Sequence, residues 1–293
     1  MTFNLVGRVK DALENLDDTP WLPRLTKELA EVGWRDLYHD VGISPSSYST
    51  ARVMARNASA PRRIVARLPI YLSDDSRSNI FQVEVLDEDY ARSYEEAGVR
   101  FYTVEEISGV DLREQFGEAI GILTLIPSLC ASVATLVRSI HLIDAGDKDY
   151  DVSFSEPHIP FTIFMSIPCF RSLTGAFRVA EALVHEAMHL QLTLVEQIVA
   201  LTNLGDGRYF SPWREEYRAS QGVLHAIYVF RVVDKFFEEV ISHHYPFGHE
   251  GLEYARSRHL EISRQMRDIK SFQDCPELTK LGADVIRQLL RHY

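Results

Sequence analysis

Two histidines and a glutamate form the HExxH segment HEAMH at residues 185–189. On a helix, His185 and His189 lie on the same face because they are four residues apart, so both imidazoles can reach one ion. Glu186 lies beside them, where it can act on a water molecule or on a ligand histidine. The flanking sequence is apolar on nearly every side, as in a buried helix, where ionisable groups need partners or a metal. The segment therefore predicts a divalent metal site.

A third ligand must come from elsewhere in the chain, and three residues are candidates. Glu215 and Glu216 lie at the distance at which thermolysin-like peptidases place a ligand glutamate, but the NExxxD pattern of those enzymes is absent. His225 lies in the apolar segment GVLHAIYVFRVVDKFF. A lone histidine there is more often a hydrogen-bonded core residue, but the two-histidine motif lacks a partner, which favours His225. Glu196 lies seven residues after His189, about 10 Å along a helix axis, which favours a place behind the ligands or on the surface over ligation.

Hydrophobic periodicity predicts the elements that must position these residues. Helical patterns cover residues 3–16, 22–33, 48–57, 88–97, 220–242, 252–272 and 276–291. Strand patterns cover residues 62–72, 80–86 and 99–104, and the segments YDVSFS and PFTIFMSIP. Two longer helices are predicted, from about Asp111 to Ile143 and, carrying the motif, from Thr174 to about Thr202. Residues 204–217 are predicted to form a loop.

This order of elements predicts an α+β fold that is predominantly helical, with small β-sheet elements and a buried central HExxH helix. We expect an N-terminal α/β region over residues 1–105 and a mainly helical metal-binding catalytic region over residues 106–293. No Pro/Gly/Ser-rich linker separates the two regions, so a single domain is the alternative.

Composition argues against several classes of partner. The formal net charge is −11 and no basic stripe is visible, which disfavours nucleic acids and anionic lipids as partners. The three cysteines are far apart and form no CxxC, which favours a cytoplasmic location. Residues 119–137 carry no charge, but Pro127 and several hydroxyl side chains interrupt them. We therefore expect a buried core helix kinked at Pro127, and no membrane span.

The segment EALVHEAMHLQL, followed some twenty residues later by SPWREEYRASQGVLHAIYVF, resembles the HExxH-type peptide-modification proteins. These are iron(II)/2-oxoglutarate-dependent HExxH peptide β-hydroxylases that occur with ribosomally made, post-translationally modified peptides. The resemblance extends over roughly residues 110–292, and the two central segments are its specific motifs.

The resemblance implies that His185, His189 and His225 hold Fe(II), with O₂ and 2-oxoglutarate as cosubstrates. It also implies that an arginine of the WREEYR segment, Arg214 or Arg218, binds the far carboxylate of 2-oxoglutarate. The chain departs from the family pattern after that arginine, where Tyr217 and Ala219 replace a proline-flanked arginine, so the choice between the two stays open. A guanidinium suits a carboxylate because it can donate two parallel hydrogen bonds.

Three functions follow from these motifs. The leading hypothesis is an iron(II)- and 2-oxoglutarate-dependent oxygenase (a hydroxylase) acting on a peptide or amino-acid-like substrate in peptide natural-product biosynthesis. The alternative enzyme is a zinc metallopeptidase with Glu186 as general base. The longer HExxHxxGxxH pattern is absent, because Leu192 and Val195 occupy its Gly and third His positions. The third hypothesis is a non-catalytic binding protein that keeps a relic metal helix.

Overall fold

The computed structural model describes residues 2–16, 19–40, 64–71, 79–86, 88–108, 111–146, 151–156, 161–168, 171–243 and 247–293. The helix predicted over residues 48–57 lies outside these ranges. Within them, most residues of regular structure are helical, and the strands form one six-stranded sheet and one hairpin. The prediction of a predominantly helical α+β fold is therefore confirmed.

Along the sequence, the described helices precede, separate and follow the strands. They are α1 (Thr2–Glu14), α2 (Thr26–Asp40), α3 (Glu88–Glu95), α4 (Val104–Ser108), α5 (Leu112–Leu123), α6 (Pro127–Leu136), α7 (Leu173–Glu196), α8 (Ser220–Ser242), α9 (Gly248–Asp268) and α10 (Lys280–Leu289). A short 3₁₀ helix, Lys270–Asp274, precedes the last of them. None of the helices in the described ranges is long and apolar enough to cross a membrane.

The strands are β1 (Ile64–Tyr71), β2 (Asn79–Leu86), β3 (Arg100–Phe101), β4 (Ser139–Asp144), β5 (Ser153–Ser155), β6 (Thr162–Ser166), β7 (Arg208–Ser211) and β8 (Glu216–Ala219). The first six form a mixed sheet in the order β1-β2-β4-β6-β5, and β3 pairs with one end of β4. The β4 strand runs parallel to both β2 and β6, whereas β5 lies antiparallel to β6 at an edge of the sheet. The edge position of β5 matters because β5 contacts the motif helix.

By contacts between residues, the chain divides into two compact units. The first comprises residues 1–25 and 191–293, and the second comprises residues 26–190. The division falls within α7, so that His185 and His189 belong to the second unit and Glu196 belongs to the first. The predicted domain boundary near residue 105 stays a prediction.

The helix predicted from Asp111 to Ile143 is interrupted after Leu123 and ends at Leu136, so the prediction is wrong beyond that residue. Pro127 starts α6 instead of kinking one continuous helix, since the first turn of a helix needs no N–H from that residue. The next segment, Ser139–Asp144, is the β4 strand, almost entirely buried between two parallel neighbours. A short apolar run fits a buried strand and a buried helix equally well, and here pairing with β2 and β6 decides.

The loop predicted over residues 204–217 is also wrong, because β7 and β8 form a two-stranded hairpin there. Its turn contains Glu215 at a φ of 52°, a left-handed conformation that is uncommon outside glycine. Trp213 stacks on Phe230 of α8 with ring centroids 4.7 Å apart, and Tyr209 meets Phe272 edge to face. These ring contacts fix the hairpin in the first unit.

Gly282, in the first turn of α10, packs against the backbone of Leu201. A Cβ at Gly282 would lie 2.0 Å from the Leu201 carbonyl oxygen. We expect Gly282→Ala to lower the free energy of unfolding by on the order of 1–3 kcal/mol, because the backbone must shift to relieve the overlap. Urea denaturation measures this change.

Gly117 is the matched control for that substitution. It lies on the exposed side of α5, and no heavy atom lies within 4 Å of the position that a Cβ would occupy there. Gly117→Ala should raise the free energy of unfolding by about 0.5–1 kcal/mol, since alanine restricts the unfolded chain. Equal effects of the two substitutions would contradict the close packing of α10 on Leu201.

Candidate metal centre

The two motif histidines lie side by side on α7. Their ring centroids are 4.9 Å apart and their planes are inclined by 64°. Both residues are partly exposed, whereas Val184, Ala187 and Met188 between and beside them are fully buried. The histidines thus mark the accessible side of an otherwise buried helix. Two neighbouring imidazoles that solvent can reach are a suitable donor pair for a divalent transition metal.

Glu186 points into the second unit rather than to solvent. The residue is 1 % exposed, and Ser153 of β5 donates a hydrogen bond to its Oε1 at 2.7 Å. The same oxygen lies 3.9 Å from Nε2 of His185. The edge strand therefore holds this carboxylate next to the first motif histidine.

A second contact joins α7 to the segment that leads into β5. On α7 it lies about two helical turns before Glu186. Arg178 donates two hydrogen bonds of 2.7 Å to Asp151, one from Nε and one from Nη2. Together with the Ser153–Glu186 hydrogen bond, this pair fixes residues 151–153 along the motif helix. No sequence pattern singled out Ser153, because its role depends on the pairing of a three-residue strand.

His225 lies in the first unit, in the second turn of α8. Its Nε2 is 2.8 Å from Oε2 of Glu196, and Gln221 donates to the same oxygen at 2.8 Å. Burial raises the pKa of the Glu196 carboxyl, but the hydrogen bond and charge of His225 and the Gln221 hydrogen bond outweigh it and leave that pKa below its ordinary value. Glu196 thus contacts His225, the candidate third ligand, and its place relative to a metal stays a prediction.

The two candidate arginines differ in their surroundings. Arg214 lies exposed in the turn of the hairpin. Arg218, on β8, is partly buried, and its guanidinium packs on Gly222 of α8. A Cβ at Gly222 would lie 3.3 Å from Cζ and 3.4 Å from Nε of that arginine. Gly222 precedes His225 by three residues, so the guanidinium and the imidazole share one side of α8.

The alternative glutamate ligands both lie in the hairpin. Glu215 is exposed at the turn, and Glu216 is exposed on β8. An oxygen of Glu216 lies 3.6 Å from Nε of Arg218, which makes the pair a solvated ion pair. Neither carboxylate is held by a buried contact of the kind that Glu196 makes with His225.

A separate group of possible ligands, which sequence reasoning missed, lies between α8 and α9. One ligand atom each from Asp234, Glu238 and His259 lies within 4.8 Å of the others. Arg231 Nη1 already lies 3.7 Å from Asp234 and 3.6 Å from Glu238, and Lys235 lies 3.2 Å from Glu238. These cations balance the two carboxylates, so we interpret the group as an ion-pair network.

Comparison with known proteins gives no assignment. No family model matches the sequence, and no significant match occurs among curated proteins. The chemistry of the residues themselves must therefore carry any proposal about function.

Removing either motif imidazole should abolish metal binding. We expect His185→Ala and His189→Ala to keep the helix, because alanine is the best helix former. Their loss of affinity should exceed the roughly 10–100-fold that follows from removing an outer hydrogen-bond partner of a ligand. Elemental analysis after metal loading and desalting measures occupancy.

His249→Ala is the control, since His249 is exposed on α9 and pairs with the exposed Glu253 at 3.3 Å. It should leave occupancy unchanged. Full occupancy in either motif variant would rule out the proposed metal centre.

Proposed function

We propose that the protein is an iron(II)- and 2-oxoglutarate-dependent oxygenase that hydroxylates a peptide or amino-acid-like substrate. The ligand set of the proposal is His185, His189 and His225, the last of them chosen on the sequence. The observation that supports the proposal best is the pair of accessible imidazoles on the buried helix α7. The resemblance to the HExxH peptide hydroxylases favours iron over zinc and suggests a role in peptide natural-product biosynthesis.

The charge of the proposed ligand set fits this chemistry. Three neutral imidazoles leave the 2+ charge of the ion uncompensated, and a dianionic cosubstrate can balance it. A three-residue ligand set also leaves positions for cosubstrate and O₂. When bound, iron supplies the oxidising chemistry, and the protein supplies binding, orientation and exclusion of water.

Glu186 has an orienting role in this proposal. One of its oxygens accepts a hydrogen bond from Ser153 and lies near His185. A carboxylate held in this way can fix the orientation of a ligand histidine or accept a hydrogen bond from a substrate amide. No proton transfer by Glu186 is needed for hydroxylation.

Arg218 is the better candidate for the far carboxylate of 2-oxoglutarate. Its guanidinium is held against Gly222 on the side of α8 that carries His225, whereas Arg214 extends from the hairpin turn into solvent. A cation with a fixed position loses less conformational freedom on binding a carboxylate than a mobile one. The ion pair with the exposed Glu216 is weak and can be exchanged for the ligand.

The zinc metallopeptidase is the second candidate. The observation in its favour is the position of Glu186 next to His185, since a general base must lie close to the water that it deprotonates. The two enzymes differ in what the loss of Glu186 and the choice of metal should do.

Product analysis tests the oxygenase proposal. With anaerobically loaded Fe(II), 2-oxoglutarate, O₂ and candidate peptides, we expect a mass gain of about 16 Da, with about one succinate formed per event, because this reaction class couples the two oxidations. Mass spectrometry and succinate quantification measure both products. Reactions without 2-oxoglutarate are the control and should give neither product.

The Glu186→Gln variant separates the two enzymes within the same assay. Hydroxylation should decrease but persist, because an orienting group is lost rather than a proton acceptor. Peptide hydrolysis by the zinc-loaded protein without succinate, abolished by Glu186→Gln with zinc retained, would refute the oxygenase and establish the peptidase.

The two arginines give a matched pair of variants. Arg218→Gln should raise the apparent 2-oxoglutarate dissociation constant by about 10–100-fold, the equivalent of about 1.5–3 kcal/mol for a charge-assisted hydrogen bond. Arg214→Gln, in the same hairpin, should change it little. Calorimetric titration of 2-oxoglutarate into metal-loaded protein measures both constants, and the reverse order of effects would assign the role to Arg214.

A further inference from the structure

We propose that Glu196 is a positioning residue that holds His225 in one tautomer, with the proton on Nε2 and the lone pair on Nδ1. The inference rests on the proposed function in one respect, since it takes His225 as a metal ligand. It adds which ring nitrogen is available to the metal and which side chain selects that nitrogen.

The contact between Glu196 and His225 is close and partly shielded from water. Nε2 of the histidine and Oε2 of the glutamate are 2.8 Å apart, and each side chain is 14 % exposed. Glu196 is the last residue of α7, and His225 lies in the second turn of α8. A contact of this length has the geometry of a strong hydrogen bond between a ring nitrogen and a carboxylate.

A second donor fixes the carboxylate. Gln221 Nε2 donates to the same Glu196 oxygen at 2.8 Å. Gln221 and His225 are four residues apart, so both reach out from the same side of α8. Two donors that converge on one oxygen restrict rotation of the carboxylate, and the acceptor therefore has a defined position relative to the imidazole.

The tautomer follows from the hydrogen-bonding capacity of the two groups. An ionised carboxylate only accepts hydrogen bonds, and a neutral imidazole carries one N–H and one lone pair. When the imidazole is neutral, the nitrogen that faces Glu196 must therefore carry the proton, which leaves the lone pair on Nδ1. Only a nitrogen with a lone pair can bind a metal, so Glu196 selects Nδ1.

The same hydrogen bond has a second effect on ligation. A carboxylate that accepts the N–H of a ligand histidine fixes the ring orientation and raises the basicity of the other nitrogen. A neutral imidazole can adopt either tautomer, and only the tautomer whose lone pair faces the metal can bind it. Glu196 thus acts through His225 and need not touch the ion.

Nitrogen NMR on the metal-free full-length protein tests the hydrogen bond directly. With ¹⁵N-labelled histidine, the resonances of His225 are those that disappear in His225→Ala. We expect the wild type to show a protonated Nε2 and an unprotonated Nδ1. In Glu196→Gln, whose amide can donate as well as accept, we expect a mixture of both tautomers. A neutral wild-type imidazole with its proton on Nδ1, or an unchanged spectrum in the variant, would overturn the proposal.

Cobalt(II) titration of the metal-free protein tests the effect on ligation and requires no turnover. Glu196→Gln should weaken Co(II) binding by about 10–100-fold, whereas His225→Ala should weaken it more. Glu253→Gln is the control for the lost charge, because Glu253 forms an exposed carboxylate–histidine pair with His249 on α9. It should bind Co(II) like the wild type, and thermal melting checks that each variant is folded.

The other outcomes of the titration each have a definite meaning. If Glu196→Gln binds like the wild type, or if it loses as much affinity as His225→Ala, Glu196 is not a positioning residue, and in the second case it is itself a ligand. Unchanged binding by His225→Ala would remove His225 from the ligand set and the proposal with it. A protein that passes both tests but forms no succinate would keep the Glu196 inference and lose the oxygenase.

Discussion

Helix α7 carries ionisable and amide side chains through an apolar core, and each of them must find a hydrogen-bond partner there. A buried polar group left without one costs about 1–3 kcal/mol, a large fraction of the stability of a domain. In the second unit, Ser153 donates to Oε1 of the buried Glu186, and Asp151 pairs with Arg178, which is partly exposed. The three-residue strand β5 thus supplies a hydrogen-bond donor to a buried carboxylate of the motif helix.

The same requirement is met in the first unit by different partners. Gln191, fully buried, donates to the carbonyl oxygen of Trp21 at 2.8 Å and accepts from the Tyr228 hydroxyl at 2.5 Å. The carboxylate of Glu196 contacts the imidazole of His225 and accepts a hydrogen bond from the Gln221 amide. Every one of these contacts joins α7 to a segment that is distant in sequence. Polar contacts therefore help to fix the position of the helix, together with the packing of its apolar side chains.

The motif histidines differ from these buried groups in burial, because they lie on the accessible side of α7. The Asp234–Glu238–His259 group has the opposite character. Its carboxylates contact Arg231 and Lys235, and burial raises the pKa of the Asp234 carboxyl despite the Tyr293 hydrogen bond and the charge of His259. A group of carboxylates that is already balanced by cations gains little from a metal, whereas His185 and His189 offer two imidazoles on an accessible helix side. The difference in charge environment is why the HExxH segment is the stronger candidate.

The sequence by itself determined those features that depend on local periodicity. A 3.6-residue repeat with histidines four apart is enough to predict the motif helix and to place His185 and His189 together on one face. The helical character of residues 220–242 follows in the same way, and α8 has these bounds. The choice of His225 as third ligand stays a prediction, because it depends on more than one helix.

Only the tertiary structure decided which residues serve these elements as partners. Ser139–Asp144 became a strand because β2 and β6 supply hydrogen bonds on both sides, and residues 208–219 became a hairpin that carries Arg218 onto Gly222. The contacts of Ser153 with Glu186 and of Glu196 with His225 likewise follow from the folded chain and not from a local pattern. The physical reason is that the periodicity of a helix depends on residues that are close together in the sequence. Strand pairing and buried hydrogen bonds join residues that are far apart in the chain, and a local sequence pattern cannot show that such residues are close in space.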